Sequence, residues 1–82
     1  MARLKEKDNC YRTQDLYEAA ALYSKGQKML GLETEKKPYT FVFTDYNVCI
    51  ALSMEYINNE LAVLAKDYAE AIKLLKSRVN TL

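Results

Sequence analysis

Residues 12–26, RTQDLYEAAALYSKG, decide the fold, because they spell out a helix with both ends marked. Thr13 is placed as the N-cap, where its hydroxyl can accept from an orphan backbone N–H of the first turn. Asp15 and Glu18 suit the positive end of the helix dipole, and Lys25 suits the negative end. Leu16, Ala19, Ala20 and Tyr23 fall at i, i+3, i+4 and i+7 and make one apolar face. Ala19, Ala20 and Ala21 favour helix and have little bulk, so the helix can approach a sheet closely. Gly26 can take the left-handed conformation that ends a helix. The spacing predicts a helix over residues 14–25.

Downstream, Tyr39, Phe41 and Phe43 alternate with Thr40, Val42 and Thr44, a period of two rich in β-formers. This predicts a strand over 39–44 with its aromatic face toward the core. Residues 27–33, QKMLGLE, form the opposing strand, with Gly31 allowing a bulge or close packing. Residues 34–38, TEKKP, make the turn. Asp45 is the expected N-cap of a second helix over 46–57, with Val48, Cys49, Leu52 and Tyr56 as its inner face. Asn58 and Asn59 stop that helix, since both tolerate positive φ. Residues 61–64 form an apolar link that can serve as a third strand. A last helix over 66–79 places Tyr68, Ile72, Leu75 and Val79 on one stripe, with Lys73, Lys76 and Arg78 at its C-terminal end. Residues 10–12 read as an extended lead-in, 1–8 as a mobile tail, and 80–82 as a frayed end. The expected fold is a single small α+β domain over 9–79. Its order is helix–β-hairpin–helix–helix, with a two- or three-stranded antiparallel sheet.

The pieces YRTQDLYEAAALYSKGQKMLGLE (11–33), YTFVFTD (39–45), MEYINNE (54–60) and AEAIKLLK (69–76) resemble a family of short bacterial and phage proteins of unknown function. Tyr11, Thr13, Asp15, Leu16, Tyr17, Ala19, Ala20, Gly26, Leu30, Gly31, Phe41, Phe43, Asp45, Tyr56 and Asn59 carry the resemblance. The chain departs from the pattern twice. Asn58-Asn59 stands where an Asn-Gly turn is expected, and Ala62 to Ala65 where a polar helix cap is typical. The resemblance implies an α+β domain of bacterial or phage origin and carries no activity with it.

The chain has 82 residues, half of them hydrophobic, and a formal net charge of +1. That is globular composition, with lysines and acids mixed, and it argues against a broad basic surface for nucleic acid. No apolar run approaches the ~18 residues of a membrane span, and the charged start lacks a secretory h-region, so the cytoplasm is the expected address. The chain lacks histidine, which removes the commonest general base and metal ligand. Its two glycines are isolated and its two cysteines form no CxxC pair, which argues against a phosphate loop or a zinc site. Cys10 and Cys49 read as reduced thiols. No catalytic residue, metal site or cofactor is therefore expected.

Seven tyrosines against two phenylalanines and no tryptophan fit two readings, rings buried with hydroxyls in water or a contact surface, since tyrosine is enriched at interfaces. Tyr11, Tyr39, Tyr56 and Tyr68 fit inner faces, while Tyr17 and Tyr46 lie beside them. The sequence thus predicts a non-enzymatic module that binds another protein, with a phage-encoded inhibitor of a host defence protein as one special case. Self-association is left open. Arg12, Tyr17 and Tyr46 are its candidate contact residues, Arg12 and Tyr17 because no structural task is evident for them. The alternative is a nucleic-acid-binding accessory protein that uses Lys36 and Lys37 at the hairpin tip and the basic end of the last helix.

Overall fold

A computed structural model describes residues 9–81, so the expected tail over 1–8 and the end at residue 82 lie outside the described residues. The chain runs β1 (Cys10–Thr13), α1 (Leu16–Ser24), β2 (Met29–Glu33), β3 (Thr40–Thr44), α2 (Tyr46–Ile57) and α3 (Ala65–Asn80). The three strands form one antiparallel sheet in the order β1-β3-β2. This is the expected α+β class, with one correction. The third strand is not the 61–64 link, which is irregular, but the lead-in, which forms β1 against β3. Its pattern explains the choice. Tyr11 and Thr13 face the helices opposite Phe43 and Phe41, while Arg12 points to the other face opposite Val42.

β3 becomes the central strand, and Phe41, Val42 and Phe43 are all buried. Phe41 and Phe43 join Ala19, Ala20, Leu22, Cys49, Ala71 and Leu75 in the core, with Tyr11, Met29 and Leu32 packed beside them. Val42 points away from the helices and is covered from the outside. Across it, Arg12 of β1 donates from Nε to Glu33 Oε2 of β2 at 3.0 Å, bridging both edges over the middle strand. Arg12 therefore has the structural task that its sequence context does not reveal. The hairpin carries the expected bulge. Met29 pairs with Phe43 and Gly31 with Val42, leaving Leu30 as the extra residue.

α1 sits between the other two helices and contacts both. Its alanines make this packing feasible, with Ala19, Ala20 and Ala21 essentially sealed. Leu22, not Tyr23, completes the buried surface, and Tyr23 remains exposed. The helix starts later than its sequence suggests. Asp15 is the N-cap, its Oδ1 accepting from the Tyr17 and Glu18 amides at 2.9 and 3.3 Å. Thr13 cannot cap because it is already committed to β1. Instead its hydroxyl accepts the Asp15 N–H at 3.1 Å. At the other end Gly26 has φ 91, the Gln27 amide reaches Leu22 O and the Gly26 amide reaches Tyr23 O. This is the Schellman arrangement that the glycine foretold.

The second helix ends the same way. Asn59 has φ 61, so it does the work of the glycine that the resemblance leads one to expect there, and the Glu60 amide closes on Glu55 O. Asp45 occupies the N-cap position of α2 but makes no side-chain cap bond, and its φ of 69 is left-handed. Within α2, Val48 is exposed and Ser53 takes its place on the inner face with Cys49, Leu52 and Tyr56. α3 begins without a side-chain cap at Leu64, consistent with the missing polar residue, and carries Asp67 in its first turn. Its buried stripe is Ala71 and Leu75, flanked by the half-buried Tyr68, Ile72 and Val79.

The two aspartates at N-cap positions are expected to behave oppositely. Asp15→Ala should cost about 1 kcal/mol in chemical denaturation, since it orphans two amides. Asp45→Gly should raise stability by about 0.5 to 1 kcal/mol, since it relieves a left-handed residue with no capping bond to lose. Equal losses at both positions would contradict this assignment.

Candidate functional site

The chemistry of the interior centres on Glu18, a carboxylate only 8% exposed. Three hydroxyls from two elements converge on it. Thr13 of β1 donates to Oε1 at 2.6 Å, and Tyr11 of β1 donates to Oε2 at 2.6 Å. Ser53 of α2 also donates to Oε2 at 2.5 Å and lies 3.0 Å from the Tyr11 hydroxyl. Glu18 is the third residue of α1, the position from which a capping-box glutamate folds back to the N-cap amide. Here Thr13 stands between them. It accepts the Asp15 amide and donates its own proton to Glu18, so the box is relayed through a hydroxyl. Burial, and then the hydrogen bond to Glu18, push the Tyr11 hydroxyl up to about 12. Cys49 lies fully buried nearby, its thiol donating to Thr44 O at 3.3 Å. Burial, with Asp45 and Glu18 adding, pushes that thiol up, the reverse of what an activated nucleophile needs. The arrangement suits a structural lock, since both carboxylate oxygens accept hydroxyl donors and packing encloses them.

The sequence reading missed this cluster, although its signals are present. Asp15-x-x-Glu18 is a capping-box spacing, and Ser53 completes the i, i+3, i+4, i+7 set begun by Cys49.

The candidate contact residues are spread over the molecule. Arg12 is on the outer sheet face. Tyr17 is exposed on α1, and its carbonyl accepts from the Tyr68 hydroxyl at 3.3 Å. Tyr46 opens α2, with its ring tilted against that of Tyr11 at 5.9 Å. Lys36 and Lys37 lie in the hairpin turn. Tyr11, Tyr39, Tyr56 and Tyr68 are half-buried, as their positions predict, and burial raises the Tyr56 hydroxyl as well, with Asp15 and Tyr68 adding.

Two surface features emerge instead. The first is α2. Its twelve residues, YNVCIALSMEYI, hold one charged side chain, Glu55. Tyr46, Ile50, Met54 and Ile57 follow at i, i+4, i+8 and i+11 and share one side of the helix. Tyr46 is 43% exposed, Met54 52% and Ile57 64%. The second is an open groove of about 520 Å³ between the hairpin tip, the β1–α1 junction and the end of α3. Leu16, Phe41 and Val79 contribute its apolar lining, and Gln14, Lys37, Pro38, Tyr39, Lys76 and Asn80 the remainder. The Lys37 ammonium stands 5.9 Å from the centre of the Tyr39 ring. The fold thus brings a hairpin-tip lysine and a lysine of α3 to one groove, while Lys36 stays outside its lining.

Among the described residues, no helix is long and apolar enough to cross a membrane, and no group of three or more metal-ligating side chains gathers. Fold and surfaces together define a compact three-strand, three-helix α+β domain. The chain belongs to the family described as Domain of unknown function (DUF5659), whose model matches residues 8–81. Comparison with curated proteins and with solved structures gives no match.

The raised Tyr11 hydroxyl makes alkaline stability a test of the lock. The unfolded chain releases this proton near pH 10 and the folded protein near pH 12. The stabilisation is therefore complete below pH 10 and is lost as pH rises toward 12. Between those values the wild type should lose stability faster than Tyr11→Phe, by up to about 1.4 kcal/mol per pH unit. Parallel denaturation curves for the two proteins would refute the assignment. Glu18→Ala, which removes the shared acceptor of the Tyr11, Thr13 and Ser53 hydroxyls, should cost about 3 kcal/mol at neutral pH.

Proposed function

We propose that this domain is a non-enzymatic module that binds another protein, and that the exposed side of α2 is its contact surface. The observation that carries this reading is the apolar stripe of exposed Tyr46, Met54 and Ile57, with half-buried Ile50 among them, on a helix with a single charge. A surface helix ordinarily turns a polar face to water, and a contiguous exposed apolar patch marks an interaction site. Tyr46 adds an amphipathic ring already held by Tyr11, so little side-chain freedom is lost on contact. Methionine beside it adapts to irregular partner surfaces. The resemblance to bacterial and phage proteins supports, as a special case, a phage-encoded factor that inhibits a host protein, defence proteins included. Cytoplasmic action fits this proposal.

Met54→Asp and Ile57→Asp should fold as the wild type does, because both side chains already face water. In affinity purification from the native cells, each should abolish recovery of the partner seen with wild type, and Tyr46→Ala should reduce it. Lys36→Glu should leave recovery unchanged. Recovery that survives both aspartate variants would refute α2 as the contact surface. Sedimentation of the purified protein separates a heterologous partner from a second copy, because self-association through the stripe would make the wild type dimeric and Ile57→Asp monomeric.

A further inference from the structure

We infer that the groove between the hairpin tip and the end of α3 binds a nucleotide, either free or as a unit of a single strand. The inference is independent of the α2 surface. Lys37 and Lys76 come from segments far apart in sequence and line the same groove. No acidic side chain accompanies them among the described lining residues, in a chain whose charges are otherwise mixed. Two cations lining one groove without an acid favour an anion there. An anionic ligand seated in the groove can gain charge-assisted hydrogen bonds from both.

The rest of the lining selects among anions. Leu16 and Val79 offer apolar surface that inorganic phosphate leaves unused, and the Tyr39 ring offers a stacking partner for a flat base. The amides of Gln14 and Asn80 can meet base or sugar edges with either donor or acceptor. The volume, about 520 Å³, lies in the range of small-molecule sites. The helix dipole sets the orientation. The last carbonyls of α3 carry partial negative charge, which pushes a phosphate away from Asn80 and toward the hairpin. Lys37 therefore holds the phosphate most directly and Lys76 supports it from one turn inside the helix. Because the groove is open, a strand can continue out of it past Lys36.

The test is a titration of the full chain, at low salt, with adenosine and uridine 5′-monophosphates, a short oligothymidylate and inorganic phosphate. Amide NMR shifts and equilibrium binding are the readouts. Nucleotide or oligonucleotide should shift the Gln14, Tyr39 and Asn80 signals and bind at least about tenfold more weakly to Lys37→Glu than to wild type. Lys76→Glu should weaken binding less, Lys73→Glu should leave it unchanged, and added salt should reduce it. The oligonucleotide binding more tightly than either monophosphate identifies a strand as the ligand, and equal affinities identify a free nucleotide. Inorganic phosphate binding as tightly as every nucleotide would overturn the inference, as would shifts confined to other surfaces or no shift at millimolar ligand. Both lysines are solvent-exposed, so their variants keep the fold, and the wild-type shift map tests the site without any substitution.

Discussion

Burial of the Glu18 carboxylate is the constraint on which the rest of the structure depends. A carboxylate removed from water is tolerated only where fixed donors replace its hydration. Here the donors are hydroxyls of Tyr11, Thr13 and Ser53, and no one element could supply them all. β1 must therefore lie where Tyr11 and Thr13 both face inward. A slip of one residue in its pairing with β3 would turn both away and present Arg12 to the interior. α2 must present Ser53 at the same point, which fixes its rotation about its own axis. Non-directional hydrophobic contact sets such rotations only broadly, whereas hydrogen bonds to one buried carboxylate set them closely. The outer Arg12–Glu33 pair reinforces the same register from the opposite face, although at the surface it adds little stability by itself.

This division between local and non-local constraint explains what could be read in the sequence. Helix and hairpin positions follow from periodicity and end signals within a dozen residues. Gly26 stops α1, the alternation from Tyr39 to Thr44 gives β3, and the 4-3-4 spacing from Tyr68 to Val79 gives α3. Errors arise where a residue serves two masters. Thr13 has the chemistry of an N-cap, but its pairing with Phe41 draws it into β1, and Asp15 caps instead. Tyr23 fits the helical stripe, yet helices on two sides of α1 make Leu22 the better-buried residue. Ser53 stands at an inner-face position of its helix, but a polar residue there makes sense only once Glu18 is known to sit opposite. The pairing of β1 with β3 rather than of the 61–64 link is likewise a property of the assembled sheet.

The same logic governs the surface. Sequence singled out Arg12, Tyr17, Tyr46, Lys36 and Lys37 by residue type, and the fold distributes them. Arg12 bridges the sheet edges. Tyr46 begins the apolar side of α2. Lys37 joins Lys76 in a groove whose other walls come from residues 14–16 and 79–80. Charge-bearing residues 39 positions apart cannot be recognised as neighbours without the hairpin and α3 in place, so local reading finds the ingredients of this groove but not the groove.

α2 poses a different question, since its composition exceeds what folding requires. Cys49, Leu52, Ser53 and Tyr56 already fill the space against α1 and the sheet. Met54 and Ile57 contribute nothing to that core, and exposing them carries an association liability. Charged replacements there would suit a helix with polar water-facing sides and would leave the Glu18 cluster untouched. Neither helix formation nor core packing therefore accounts for the apolar side of α2. A small domain gains from an interface in one more way. With a core this thin, any partner that binds only the folded state adds to its stability by mass action. Contact through α2 would brace the helix that supplies Ser53, so the proposed recognition surface and the buried carboxylate would act mechanically as one unit.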